Sequence, residues 1–186
     1  PLQPPIPSRS GERYFWGELR GAAQALAIVE AAQQQQGLTL VVCSDSASAL
    51  RLEEEIDFFA NGLDVLYFPD WETLPYDLFS PHQSIISQRI ATLDRLKNIR
   101  RGIVILPIAT LLHKLPPLSF YQGQNFILDV GQTFHLENTC TQLEIAGYHR
   151  VESVYEPGEF AVRGSIIDIF PMGQEQPFRV ELFDDE

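Results

Sequence analysis

Cysteine is scarce in this chain. Its 186 residues hold two, Cys43 and Cys140. They stand far apart, and neither has a second Cys or a His at metal-ligand spacing, so the pattern gives no zinc site and no disulfide framework. Both read as small buried apolar residues of a reducing cytoplasm. Long hydrophobic runs are also missing. Uninterrupted apolar stretches such as Ile103–Pro107 fall far short of the ~20 residues that a bilayer requires, so no membrane partner is expected. Basic residues are few where acids are many. The net charge is −12, and residues 119–186 hold 3 basic groups against 12 acidic ones. Nucleic-acid affinity rests on Lys and Arg displacing phosphate counterions. The one basic cluster here is Arg95, Lys97, Arg100 and Arg101. Gly and Pro, 12 and 13 residues, are too scattered for a collagen or a disordered chain, and the 45% apolar fraction is that of a globular protein.

Residues 1–10 open on Pro1-Leu2-Gln3-Pro4-Pro5, which lacks a basic-then-apolar leader pattern, and are expected to be a disordered Pro-rich start. The closing Phe183-Asp184-Asp185-Glu186 stops inside a strand-like run, so a piece of a longer protein is expected.

Between these ends the chain alternates. Ala22 to Gln36 reads as an Ala-rich helix closed by Gly37. Leu38-Thr39-Leu40-Val41-Val42-Cys43 is a continuous apolar run, the pattern of a strand buried on both faces. Ser44-Asp45-Ser46 supplies N-cap candidates for a helix with Ala49, Leu52, Ile56 and Phe59 on one face. A strand at Val65–Phe68, a helix at Ser84–Asn98 with Ile86, Ile90 and Leu93 on one side, and a strand at Ile103–Leu106 follow. This alternation implies a parallel sheet with right-handed crossovers. The segment from Pro69 to His82 has three prolines, three aromatics and no period, which suits a functional or clamped loop.

After Pro116-Pro117 the character changes to a small α+β module. Strands are expected at Phe126–Leu128 and Gln132–Leu136, and a helix at Glu137–Ala146 ended by Gly147. Three more strands, Val151–Tyr155, Phe160–Phe170 and Phe178–Phe183, have turns between them that suit antiparallel connections. Gly164 marks a bend or bulge within the second of these. The fold class is therefore α/β: a parallel-sheet domain over residues 11–116, then the α+β module over 117–186.

Little in this pattern carries chemistry. A parallel-sheet nucleotide-binding domain places its phosphate loop before the first helix, with glycines, a Lys for the β/γ-phosphates and a Ser or Thr for Mg²⁺. Here Gly17 stands at the first glycine, and after Gly21 the remaining positions are Ala22, Ala23 and Gln24. The Lys and the hydroxyl are absent, so neither ATP nor Mg²⁺ is expected as a cofactor at this loop. His82, His113, His135 and His149 show no paired spacing and read as surface or packed residues. The Glu53-Glu54-Glu55 run reads as a solvated helix face. No Gly-x-Ser-x-Gly elbow exists, and no catalytic residue and no metal site are assigned. Arg163, in Glu159-Phe160-Ala161-Val162-Arg163-Gly164, is isolated in the acidic half, as is Arg150. On alternation, Phe160 and Val162 face the module's core while Ala161 and Arg163 face out.

Three blocks carry a resemblance. They are Asp70-Trp71-Glu72-Thr73-Leu74-Pro75-Tyr76-Asp77 with Phe79-Ser80-Pro81-His82 and Ser87-Gln88-Arg89, then Tyr155 through Pro171, then Phe178 through Glu186. In this order and spacing they resemble the N-terminal region of the bacterial transcription-repair coupling factor family (Mfd). That region is similar in turn to the excision-repair protein UvrB. The resemblance implies a RecA-like first domain over 11–116, like UvrB domain 1a, interrupted from 117 by an inserted domain, like UvrB domain 2, that binds UvrA. It implies recruitment of UvrA to stalled RNA polymerase on damaged DNA. ATP, Mg²⁺, DNA and polymerase would belong to other domains of the parent, an ATP-dependent translocase whose C-terminal domains contact this module. UvrB itself has an intact phosphate loop, where this chain has Ala23 and Gln24, and a long aromatic hairpin with no counterpart here. The UvrB arginines that face UvrA fall at Arg150 and Arg163, with Phe160 and Gly164 on the same implied surface, while a further one falls on Ala161. The alternative is a nucleotide-binding or DNA-remodelling part of a UvrB-type helicase.

The charge balance yields a first prediction. At ~0.15 M salt this chain binds duplex DNA no better than the 10⁻⁴–10⁻⁶ M typical of non-specific contacts. Fluorescence anisotropy checks it, and a sub-micromolar dissociation constant would contradict it.

Overall fold

A computed structural model describes residues 3–74, 76–117 and 135–182. The strand expected at Phe126–Leu128, and residues 132–134 of the next, lie outside them. Two compact units form: residues 1–70 with 95–113, and residues 71–94 with 114–186. The last passage between them falls just before Pro116-Pro117. The segment 71–94, expected with the first domain, packs in the second unit.

The first unit is built from α1 (Ala23–Gln34), β1 (Leu38–Cys43), α2 (Ser46–Phe59), β2 (Asp64–Tyr67), β3 (Gly102–Pro107) and the short α4 (Ile108–Leu111). Asp45 caps α2, its Oδ1 accepting the Ser48 N–H at 2.8 Å. The strands form a parallel sheet in the order β1-β3-β2. The central strand β3 is buried along its whole length, as its Ile-Val-Ile-Leu run requires. At its start, a side chain on Gly102 would meet the Asp64 carbonyl at 2.6 Å, so glycine lets β2 and β3 approach. Ile103 and Ile105 pack with Ala25, Val29, Ala49, Leu52 and Ile56 of the two helices. The expectation that β1 is buried on both faces is corrected. Leu38, Leu40 and Val42 are 46%, 55% and 43% exposed, because among the described residues β1 is an edge strand whose second face is uncovered. The proline lead is also placed: Pro4 is buried, and the Trp16 indole N–H donates to the Pro5 carbonyl at 3.1 Å.

The second unit holds most of α3 (Gln83–Leu96) together with α5 (Leu136–Ile145), β4 (His149–Arg150), β5 (Glu159–Arg163), β6 (Ile166–Phe170) and β7 (Phe178–Glu181). In α3, Ile86, Ile90 and Leu93 are only half-buried, and the buried positions are Ser87, Arg89 and Thr92. The Ser87 hydroxyl accepts the Gly173 N–H at 2.8 Å, and the Arg89 guanidinium lies 4.0 Å over the Trp71 ring, contacts that offset part of the cost of burying them. The helix α5 ends as expected at Gly147, whose φ of +90° turns the chain so that the Tyr148 N–H reaches the Leu143 carbonyl at 2.9 Å. His135, expected in a strand, is the residue before the first turn of α5.

The sheet order is β4-β5-β6-β7, and three expectations about it are corrected. The strand expected over Phe160–Phe170 is two, β5 and β6, paired antiparallel across the two-residue loop Gly164-Ser165. Gly164 has φ +62°, which makes it a hairpin turn and not a bulge. The first strand lies at His149–Arg150, not Val151–Tyr155. It runs parallel to β5, because residues 151–158 loop back before β5 begins. That return is fastened by the Glu159 carboxylate, which accepts the Tyr155 and Glu156 N–H groups at 2.8 and 2.9 Å. Phe160, Ile167, Ile169 and Leu143 form the core beneath α5.

Phe160 is fully buried at the centre of that cluster. Phe160→Ala should therefore cost about 3–5 kcal/mol, measured by urea denaturation. A loss under about 1 kcal/mol would mean that the sheet packs differently.

Candidate docking face and the turn into the first helix

The first candidate is the turn into α1. The helix begins at Ala23, its N-cap is Ala22, and no side chain caps it. Gly21 has φ +55° and Glu18 has φ +59°, so the backbone does make a tight left-handed entry. Trp16, Glu18, Leu19, Gln24, Leu40 and Val42 are among the residues lining an open cleft of about 560 Å³ beside it, and the charged lining residue is the carboxylate of Glu18. No Lys, Arg, Ser or Thr stands at Ala22, Ala23 or Gln24 to meet a phosphate charge or a magnesium ion. Gly17 has open space where a side chain would go.

The histidines do not converge. His82 lies 3.8 Å from Glu156 and His113 lies 3.6 Å from Asp70, while His149 is exposed on β4. Among the described residues, no three His, Cys, Asp or Glu side chains group as metal ligands would. The glutamate run is not wholly solvated. Glu54 is exposed, but Glu53 is half-buried, and desolvation, helped by Asp57 and Glu54, raises its carboxyl above the usual range.

The second candidate is the hairpin of the second unit. Arg163 is exposed, at the last position of β5. Its Nη2 donates to the Glu152 carbonyl at 2.8 Å and to the Ser153 hydroxyl at 2.9 Å. The guanidinium is thus held against the returning segment while Nε and Nη1 remain for another acceptor. Phe160 and Gly164 have structural duties, in the core and in the turn. Ala161 does face away from Phe160, yet it is only 2% exposed.

Register decides where the two arginines point. Arg163 pairs with Ile166 and Ala161 with Asp168, so these share the outer face, opposite to Phe160 and Val162. Arg150 pairs with Phe160 across the parallel β4–β5 ladder, which puts it on the helix side. The thiol of Cys140 on α5 agrees: burial pushes it up, and the charge of Arg150 pulls against that shift. The sequence thus proposed two arginines for one surface, and the sheet presents them on opposite faces. On the outer face stands a residue the sequence reading passed over. Arg179 of β7 faces Asp168 and grips it with two bonds, Nε to Oδ1 at 2.7 Å and Nη2 to Oδ2 at 2.9 Å. That grip holds the Asp168 carboxyl below the usual carboxylate range, and Arg163's charge adds to it. Period-two alternation alone could have paired them, once Gly164 was read as a turn.

Residues 126–186 match a family model described as the UvrB interaction domain. Over 185 residues the chain is 46% identical to the transcription-repair-coupling factor of Haemophilus influenzae, covering 100% of this chain. It is 44% identical over 181 residues to that of Escherichia coli and 28% identical over 168 to that of Bacillus subtilis, covering 97% and 90% of this chain. The chain spans only 16%, 16% and 14% of the length of these three relatives.

The cleft beside α1 should leave Mg-ATP unbound. Titration calorimetry checks this, and micromolar binding that is lost on changing Gly21 would contradict it.

Proposed function

From a chain that matches transcription-repair-coupling factors along its whole length, with the UvrB interaction domain at residues 126–186, we propose a recruitment module. It docks the excision-repair protein UvrA and brings it to RNA polymerase stalled on damaged DNA. The chain performs no catalysis of its own in this reading. Translocation along DNA, with its ATP and Mg²⁺, belongs to other parts of the parent, as do the contacts with polymerase and DNA. The parent's C-terminal domains meet this module when UvrA is absent. The setting is the bacterial cytoplasm. The first domain is read as the first half of a RecA-like fold whose phosphate loop has degenerated, and the α+β module as the counterpart of UvrB domain 2.

The observation that carries this reading is Arg163. An Arg in so acidic a module is easily neutralised by its own domain, yet among the described residues no carboxylate forms an ion pair with this one. Its hydrogen bonds go to an uncharged carbonyl and a hydroxyl, so the charge stays available while the side chain is already ordered. A preordered Arg loses less freedom when a partner seats on it, which suits an interface anchor. The α1 entry supports the non-catalytic half of the reading, since the charged residue lining the cleft beside it is the Glu18 carboxylate and no Lys, Ser or Thr stands at Ala22, Ala23 or Gln24.

Arg163→Ala and Arg163→Glu should each weaken UvrA binding by about 2 kcal/mol or more, roughly thirtyfold, with the melting temperature unchanged. Wild-type affinity in both variants would remove the hairpin from the docking surface.

A further inference from the structure

The loop that leads into α3 holds its apolar side chains out to solvent. Leu74, Tyr76, Leu78 and Phe79 are each at least 74% exposed. Apolar residues scattered singly over a surface are ordinary, but these fall together within residues 74–79 and make a patch. The backbone beneath them is ordered. Asp77 ties the turn to itself: its Oδ2 accepts the Leu74 N–H at 2.7 Å, and its own N–H donates to the Leu74 carbonyl at 3.1 Å. Tyr76, between them, has φ +78°, and Glu72 has φ +57°, left-handed values that a β-carbon disfavours. Packing does not account for that strain, since the four apolar side chains face solvent. Strain of this kind collects at ligand clamps, where it fixes a geometry in advance.

The patch is continuous with the segment that seats Arg163. His82, at the end of the loop, has its Nε2 3.8 Å from Glu156 Oε1, and a side chain on Gly158 would stand 3.8 Å from Gln83 Oε1. The loop therefore abuts the return of residues 151–158, and the same return supplies the Glu152 carbonyl and the Ser153 hydroxyl that hold the Arg163 guanidinium. Tyr155 lies between these two contacts. It is 80% exposed, and its N–H is fixed by the Glu159 carboxylate. Charge narrows what can cover the patch. Residues 71–81 hold Glu72 and Asp77 but no Lys, Arg or His, and the return adds Glu152 and Glu156. An acidic border repels the phosphates of nucleic acid and of an anionic lipid surface. It suits an apolar pocket on a protein, rimmed by Lys or Arg.

We propose that residues 72–79, with Tyr155, are a second, apolar docking element for UvrA, that Tyr76 and Phe79 are its anchors, and that Asp77 is a positioning residue that holds the turn in shape. The matching surface on UvrA is an apolar pocket with a basic rim, next to the site that takes Arg163. This rests on the recruitment reading and adds to its charged contact a contact of different chemistry. Aromatic anchors bring large area at little cost in side-chain freedom.

The test measures affinity of the whole chain for purified UvrA by calorimetry at several temperatures and salt concentrations, with the melting temperature of each variant recorded. Tyr76→Ala and Phe79→Ala should each weaken binding about tenfold, and Tyr155→Ala about threefold. Ile145→Ser, at a residue 82% exposed on α5, should change it less than twofold. Asp77→Ala should weaken binding about threefold, and Asp77→Asn, which keeps an acceptor for the Leu74 N–H, should restore it. Phe79→Ala should make the heat-capacity change of binding less negative and leave its salt dependence as it was, a pair of effects that a purely structural role would not produce. If Tyr76→Ala shifts the melting temperature through its left-handed backbone, Phe79→Ala and Leu78→Ser decide. Binding weakened by Arg163→Ala but kept in Phe79→Ala and Tyr76→Ala would overturn this proposal and leave recruitment standing. Sedimentation equilibrium of the chain alone provides the other arm: self-association that Phe79→Ala abolishes, with UvrA affinity unchanged, would overturn the proposal and give the patch to a second copy. Failure of the wild-type chain to bind UvrA would overturn recruitment itself, and this element with it.

Discussion

The pairing of β5 with β6 across Gly164-Ser165 governs what the second unit shows to each side. Once Gly164 takes its positive φ, residue 163 must lie opposite 166 and residue 161 opposite 168. From there every side chain is assigned by the pleat. Phe160, Ile167 and Ile169 go under α5. Arg163 and Asp168 go to the other face, and β7 adds Arg179 beside Asp168. A one-residue slip would bring the charged row into the core and expose Phe160, at a cost no small module could bear. The hydrophobic core and the charged face are thus two consequences of one register.

The two units divide the work differently. In the first, the parallel sheet supplies packing: β3 is buried throughout, and α1 and α2 close over Ile103 and Ile105. At the turn into α1, no Lys, Ser or Thr occupies positions 22–24. In the second, the segment 71–94 contributes structure that the sequence order assigns to the first domain. The Trp71 ring lies under the Arg89 guanidinium, and Ser87 bonds Gly173. The loop between them leaves Leu74, Leu78 and Phe79 exposed, apolar surface of a kind that monomers seldom display without use.

Much of this was legible from residue order, because the governing interactions are local. Gly147 and Asp45 mark helix ends through capping geometry that depends on neighbouring residues alone. The missing Lys and hydroxyl at Ala23 and Gln24 are a matter of identity. Non-local facts were harder to read. That β1 is an edge strand depends on the order β1-β3-β2, which no local period encodes, so its apolar run gave a misleading picture of burial. That β4 runs parallel to β5 depends on the Glu159 carboxylate fastening the return of residues 151–158. Reading Gly164 as a bend merged two strands into one. That error hid the antiparallel register, and with it both the partnership of Asp168 with Arg179 and the separation of Arg150 from Arg163.

The proposed docking of UvrA at the β5–β6 hairpin is tested most directly by residue-resolved NMR. In a titration of the isotope-labelled chain with a UvrA fragment, backbone amide perturbations should concentrate on residues 161–168, with the Arg163 Nε–H signal moving most. Perturbations centred on α5 and β4, or on the first unit, would contradict the account.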